Sequence, residues 1–228
     1  MKRYKSVIFD FNGTLVFDTK NHDRAWKIIT SKYRDNPFSD EELEKNIHGR
    51  TNRAIFEYIT NRKLSESDVE KFSEEKELIY QQLCREDKNF HLIQGAEDFL
   101  NYLRDNKIPR TIATASNRMN VDFYIEMLHL ERWFDLDKIV YDDGTLEGKP
   151  KPDIYEKAAK ILQTKPEDCI VFEDAILGIE SACRAGIGEI IAVVGDKSKQ
   201  LSGEEKFGVK ERIENFSDFK RNKLMFDL

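Results

Sequence analysis

Five short apolar runs punctuate the chain: Ser6 to Phe9, Thr111 to Ala115, Lys138 to Tyr141, Cys169 to Phe172 and Ile190 to Val194. They are brief, mostly unalternating and rich in Val, Ile and Phe, a pattern that predicts strands buried on both faces. Between most of them the apolar positions take helical spacing. Ala96, Phe99, Leu100 and Leu103 fall at i, i+3, i+4 and i+7, and Ile154, Ala158, Ile161 and Leu162 repeat the stripe. Ala175 to Ala185 reads as a further helix, stopped by Gly186. Strands alternating with helices predict an α/β fold, a doubly wound parallel sheet covered on both faces.

About a hundred residues separate the first two strands, far more than one crossover helix requires. Helical patterns fill the gap at Asn21 to Tyr33, Glu41 to Ile47 and Arg53 to Thr60. A longer one opens at Ser67, where Val69, Phe72, Ile79 and Leu83 share a face. Residues 18–90 are therefore expected to form an all-helical insert, and residues 1–17 with 91–228 the α/β core. Two segments crossing between them would act as a hinge. The polar stretch Asp196 to Lys210 reads as a loop.

Composition narrows the function. The chain has 228 residues, 39% of them hydrophobic and 11% aromatic, enough for a packed core. Its 37 basic and 43 acidic side chains leave a net charge of −6, which disfavours nucleic acid as a partner. Three cysteines, Cys84, Cys169 and Cys183, include no Cys-x-x-Cys pair, so a reducing cytoplasm is expected. Asp10 interrupts the first apolar run before it reaches signal-peptide length, and no later run approaches the roughly 18 residues of a membrane span. A soluble, monomeric cytoplasmic protein without a membrane partner is the expectation.

The candidate chemistry sits at strand ends, where parallel sheets bind ligands. Asp10 closes the first strand in Phe9-Asp10-Phe11-Asn12-Gly13-Thr14-Leu15; by itself it reads equally well as a turn residue before Gly13. The second strand ends in Ser116-Asn117, offering a hydroxyl and turn amides to a phosphate oxygen, or ordinary turn chemistry. Lys149 lies between Gly148 and Pro150 in a proline-stiffened loop, where a lone lysine is usually a solvated charge. Glu173-Asp174 follows the fourth strand, either capping the next helix or holding a hard divalent cation.

Asp10, Ser116, Lys149 and Glu173-Asp174, in that order at separate α/β elements, resemble the four motifs of the haloacid dehalogenase superfamily across nearly the whole chain. The resemblance implies a Rossmann-like core of strand order 5-4-1-2-3 with a helical cap. It implies that Asp10 is a nucleophile forming an aspartyl phosphate, and that Ser116, Asn117 and Lys149 bind the transferring phosphoryl group. Mg²⁺ would be held by Asp10, the Asn12 backbone carbonyl, Asp174 and Glu173. The cap resembles the β-phosphoglucomutase and sugar-phosphate phosphatase group. Asp18-Thr19 with His22 and Trp26 is similar to its linker and first cap helix, and His48-Gly49-Arg50-Thr51-Asn52-Arg53 to its hinge and substrate loop. Lys76, a turn before Tyr80, is similar to a cap position facing the distal end of the substrate. Arg50 and Arg53 both remain open as the substrate arginine. Trp26 as a core aromatic, His22 as a satisfied cap histidine and Lys76 as a solvated charge are the plainer alternatives.

One position departs from the family. Its phosphatases and mutases normally carry a second aspartate two residues after the nucleophile, as general acid and base, and this chain has Asn12. An amide hydrogen-bonds but does not trade a proton at neutral pH. The expectation is a phosphohydrolase of a small phosphorylated metabolite, slowed by Asn12 unless another group such as His22 supplies the proton. The alternatives are a phosphomutase, a 2-haloacid dehalogenase and a phosphometabolite-binding protein without turnover.

Overall fold

The computed structural model describes residues 3–47, 50–195 and 203–224. The chain opens with strand β1 (Ser6–Phe9) and continues through four helices, α1 (Thr19–Thr30), α2 (Asp40–Asn46), α3 (Asn52–Thr60) and α4 (Glu66–Glu86). It then alternates α5 (Ala96–Asp105), β2 (Arg110–Asn117), α6 (Arg118–Leu128), β3 (Val140–Asp142), α7 (Asp153–Ile161), β4 (Cys169–Glu173), α8 (Ile176–Arg184), β5 (Glu189–Val193) and β6 (Glu211–Ile213). The sheet runs β3-β2-β1-β4-β5-β6, with every pairing parallel. The expected order 5-4-1-2-3 is present, extended by β6 at the β5 edge.

The unalternating strands are explained by burial on both faces. Val7 and Phe9 join Ile112, Ile170 and Phe172 in one apolar cluster, beneath α5 and α6. Ile8, with Ala113 and Val171, points the other way into a cluster shared with α7 and α8. The first cluster is centred on rings: Phe9 stacks on Phe172 at 5.3 Å, and Phe99 meets Phe172, Phe216 and Phe219 at 5.7, 5.6 and 5.1 Å.

A third cluster lies among α1–α4, where Trp26, Ile29, Leu43, Ile55 and Phe56 meet. Side-chain caps start four of the helices from this stretch and the next: Ser39 accepts from the Glu42 N–H, Thr51 from Ala54, Ser65 from Asp68 and Asn117 from Asn120. Tyr80, Leu83 and Cys84 of α4 pack instead into the first cluster, so α4 reaches the sheet side. The chain leaves and re-enters the sheet by two adjacent segments. Val16 bridges Leu92 antiparallel, and the Ile93 N–H donates to the Leu15 carbonyl at 2.9 Å.

Local differences from the sequence pattern have physical reasons. α6 escapes the pattern because Asn117, read as phosphate-turn chemistry, is its N-cap. β6 has only Ile213 buried, too little for an apolar signal. The third strand starts two residues later than expected, since Leu136–Lys138 forms a 3₁₀ turn. Of the stretch read as a loop, residues 196–202 lie outside the described residues and Glu204–Phe207 forms another 3₁₀ turn. Among the described residues no helix is long and apolar enough to cross a membrane.

Phe99 is fully buried and distant in sequence from the strand ends. Phe99→Ala is expected to cost about 3–5 kcal/mol, the usual range for deleting a core aromatic. Urea denaturation measures it, and a loss below about 1 kcal/mol would show that the ring cluster does not hold α5 to the sheet.

Candidate active site

Four segments converge at the carboxyl ends of β1, β2 and β4. Asp10 follows β1 and is held by its backbone N–H, which donates to the Phe172 carbonyl at 3.0 Å. Asp174 follows β4, and the chain turns from β1 so tightly that Gly13 lies directly against its carboxylate. Gly13 has φ +80°, and a Cβ there would overlap the Asp174 carboxyl, so both conformation and space require glycine. Gly178 in α8 serves Glu173 in the same way, because a Cβ would occupy the place of its carboxylate.

Lys149 enters between two carboxylates. Its Nζ donates to Asp10 Oδ1 at 2.7 Å and to Glu173 Oε1 at 2.5 Å, with the Tyr155 ring centroid 5.3 Å away. Burial pulls the Lys149 pKa down, but Asp10 and Glu173 more than offset this and hold it well above the ordinary lysine value. Glu173 is committed elsewhere too: Oε1 accepts from Tyr155 Oη at 3.0 Å and Oε2 from the Ala175 N–H at 2.8 Å.

One lysine does not balance three carboxylates. Burial, opposed by Lys149 and reinforced by Glu173, pushes Asp10 up from 3.8 to about 7. Burial, with Glu173 and Asp10 adding to it, pushes Asp174 well above the usual carboxylate range. Oxygens of Asp10, Glu173 and Asp174 lie within 4.8 Å of one another, the one such group among the described residues. An all-oxygen, charge-deficient cluster suits a hard divalent cation such as Mg²⁺. Asp10 and Asp174 fit as carboxylate ligands, whereas the Glu173 oxygens are already hydrogen-bonded.

Asn12 is held on every side. Its Nδ2 donates to Asp18 Oδ2 at 2.6 Å and to Tyr124 Oη at 2.9 Å, and its Oδ1 accepts from Ser116 Oγ at 2.8 Å. A carboxylate only accepts, so Asp18 fixes which way the amide faces. Tyr80 also donates to Asp18 Oδ2, while Asp18 Oδ1 is buried without a partner. Burial pushes the Asp18 carboxyl up, and the bonds from Tyr80 and Asn12 oppose it. Burial likewise carries Tyr80 and Tyr124 well above the ordinary phenol value, so both remain neutral donors.

The α1–α4 side supplies a second cluster. His22 stacks on Tyr80 with centroids 3.8 Å apart, and its Nδ1 lies 2.9 Å from Lys76 Nζ. An ammonium only donates, so Nδ1 accepts and the ring proton belongs on Nε2, which lies 3.6 Å from Asp18 Oδ2. Trp26 is both a core aromatic, edge-on to Phe56, and a wall for Lys76, whose Nζ sits 4.8 Å from its ring. Lys76 is not a solvated charge: it is 1% exposed. Arg53 pairs with Glu66 and donates to the Leu64 carbonyl at 3.3 Å, while Arg50 is exposed. His48 and Gly49 lie outside the described residues.

Asp10, Asn12, Ser116, Asn117, Lys149, Glu173 and Asp174 line a single cavity of about 1120 Å³ together with His22, Trp26, Arg50, Arg53 and Lys76. Sequence reasoning missed Tyr124, Tyr155, Glu77 and Asn120. Tyr124 comes from α6, which the sequence pattern did not reveal, and Tyr155 lies beside the apolar stripe read for α7. Glu77 neighbours Lys76 in sequence, and adjacent helix residues ordinarily do not face each other, so no spacing rule pairs them.

The comparisons with known proteins agree with this geometry. The family description "haloacid dehalogenase-like hydrolase" matches residues 4–186. The "Phosphorylated carbohydrates phosphatase" of Thermotoga maritima is 28% identical over 194 residues, covering 83% of this chain and 85% of its own. The β-phosphoglucomutase of Bacillus subtilis is 30% identical over 189 residues, covering 80% of each. A solved structure of a HAD hydrolase, family IA, variant 3, from Entamoeba histolytica matches with a TM-score of 0.84 at 39% identity, covering 98% of this chain and 97% of that one. With a family match over most of the chain and the same fold in a relative of similar length, the chain belongs to the haloacid dehalogenase-like hydrolases.

Proposed function

We propose that this hydrolase is a Mg²⁺-dependent phosphohydrolase of a small phosphorylated metabolite, of the sugar-phosphate class, working through an aspartyl phosphate on Asp10. The observation that carries the reading is the cluster in the cavity: the buried carboxylate of Asp10, held by buried Lys149 beside the oxygens of half-buried Asp174. The printed name of the Thermotoga maritima relative supports the substrate class.

In this reading the Asp10 carboxylate attacks phosphorus, an Asp10–phosphate bond forms and the ester oxygen leaves. Water then breaks the new bond and releases inorganic phosphate. Lys149, the Ser116 hydroxyl and the turn amide of Asn117, whose side chain caps α6, bind the phosphoryl oxygens. Asp10, Asp174 and the Asn12 backbone carbonyl would hold Mg²⁺, whose positive charge would offset the repulsion between carboxylate and phosphate. Residues 18–90 act as a cap over the α/β core, hinged at the paired Val16 and Leu92 segments, and exclude water on closing. Arg50 is the better placed of the two arginines for a ligand, because Arg53 is tied to Glu66.

Asn12 favours hydrolysis over a mutase. A mutase must move protons to and from sugar hydroxyls in both directions, and the Asn12 amide, held by Asp18, Tyr124 and Ser116, has no proton to trade at neutral pH. A dehalogenase is disfavoured because carbon–halogen displacement gives the carboxylate cluster no task. Without an acid at position 12, esters whose leaving group needs no proton should react fastest.

Phosphate release from p-nitrophenyl phosphate should depend on Mg²⁺, stop with a chelator and exceed release from sugar phosphates. Silence on every substrate with metal present would favour a binding protein. Asn12→Asp should raise turnover of an alkyl phosphate, by up to roughly 10² to 10⁴; no change or a decrease would show that Asn12 is not limiting. The new carboxyl would stand where Nδ2 now lies 2.6 Å from Asp18 Oδ2, and two such groups do not both ionise. Adding Asp18→Asn should therefore shift the variant's pH–rate profile to lower pH.

The metal reading also predicts a pH-dependent stability. Between 3.8 and about 7 the folded Asp10 carboxyl binds more proton than the unfolded one, so metal-free protein loses stability as pH rises through that window. The Tm gain from Mg²⁺ over chelator should thus be larger at about pH 8 than at about pH 5. An equal or reversed gain would place the metal elsewhere.

A further inference from the structure

Lys76 is the most deeply placed cation on the α1–α4 side of the cavity, and it is spent before any ligand arrives. Its Nζ lies 3.1 and 3.0 Å from the two carboxylate oxygens of Glu77 and 2.9 Å from His22 Nδ1. The rings of Trp26 and Tyr80, 4.8 and 5.2 Å from Nζ, close two further sides. Three N–H donors are all an ammonium has, and carboxylate and imidazole take them.

Glu77 is fixed as firmly. It is 2% exposed, and its oxygens accept from Asn52 Nδ2 in α3 and Asn120 Nδ2 in α6, each at 2.6 Å. Two amides from opposite sides of the cavity thus hold the carboxylate where it neutralises Lys76. Arg53 is engaged with Glu66, and Lys45, an exposed side chain, pairs with Glu41. Arg50 is exposed, where solvent weakens its hold on an anion. The same wall carries Glu70 and Glu74 of α4, and Asp142 faces the cavity from the end of β3.

A second phosphate placed away from Asp10 would therefore meet a neutralised lysine and additional carboxylates. Such a lining rejects by repulsion as well as by missing attraction. We propose that Glu77 is a specificity-determining residue which, by neutralising Lys76, restricts the enzyme to phosphomonoesters with an uncharged, hydroxyl-bearing remainder and discriminates against bisphosphates. This rests on the phosphohydrolase reading, and it narrows that reading to a charge class of substrate.

Binding can be measured apart from turnover. Asp10→Asn protein with Mg²⁺ is titrated calorimetrically with fructose 1-phosphate and with fructose 1,6-bisphosphate, then the comparison is repeated in Asp10→Asn/Glu77→Gln. The monophosphate should bind about tenfold tighter or more in the first protein. Glu77→Gln should shrink that ratio by about tenfold, mainly by tightening the bisphosphate, the effect expected of one freed charge-assisted hydrogen bond. Equal or tighter bisphosphate binding before the Glu77 change, or an unmoved ratio after it, overturns the proposal. Glu77→Gln leaves a buried lysine uncompensated. If circular dichroism shows that this variant does not fold, Lys76→Met/Glu77→Gln on the Asp10→Asn background removes both charges. It should keep the monophosphate preference, and losing it overturns the proposal equally. Failure of the wild-type protein to release phosphate from p-nitrophenyl phosphate would instead sink the hydrolase reading while leaving the binding ratio as its own answer.

Discussion

The site is organised by a charge imbalance: Lys149 sits between Asp10 and Glu173 with Asp174 beside them, so one buried cation faces three carboxylates. Burying charge without compensation is expensive, and a fold tolerates it where geometry supplies partners or a ligand completes the balance. Much of the surrounding structure serves that cluster. Parallel strands β1 and β4 bring Asp10 and Asp174 side by side, Gly13 and Gly178 remove the side chains that would displace the carboxylates, and Tyr155 and the Ala175 amide hold Glu173. The aromatic cluster under β1 and β4 fixes the two strands against each other. Stability built into the sheet is thus what permits electrostatic tension at its carboxyl end.

A second layer of polar contacts ties the helices of residues 18–90 to this floor, beside the apolar packing of Tyr80, Leu83 and Cys84. Asn12 links β1 to Asp18 at the head of α1, and Tyr80 from α4 closes on the same carboxylate. Glu77 joins α3 and α6 through two asparagines. Hydrogen bonds are directional and short in range, so a small relative movement of the two sides breaks them together.

The sheet was legible in the sequence because both of its faces are buried: Ser6–Phe9 and Cys169–Glu173 show as apolar runs for that reason. Asp10 and Asp174 stood out because charge at strand ends interrupts those runs, whereas Lys149 lies in the loop between β3 and α7. What could not be read was tertiary. Asn117 presents the same letters whether it caps a helix or faces a ligand, and here its side chain caps α6. Lys76 looked like a candidate to meet substrate, and nothing in its spacing reveals that the next residue along the helix neutralises it. β6 carries a single buried residue, and it exists because β5 offers it an edge to pair with.

Asn12 is best understood from its neighbours. If aspartate stood there, three buried carboxyls at positions 10, 12 and 18 would crowd one end of the cavity, with Lys149 already engaged by Asp10 and Glu173. The amide relieves that crowding: it donates to Asp18, donates to Tyr124 and accepts from Ser116 without adding charge. The same substitution that removes a proton donor therefore satisfies Asp18 Oδ2 and aligns the Ser116 hydroxyl. The network around position 12 is matched to an amide, so the loss of an acid is built into the packing of α1, α4 and α6 and extends beyond one side chain.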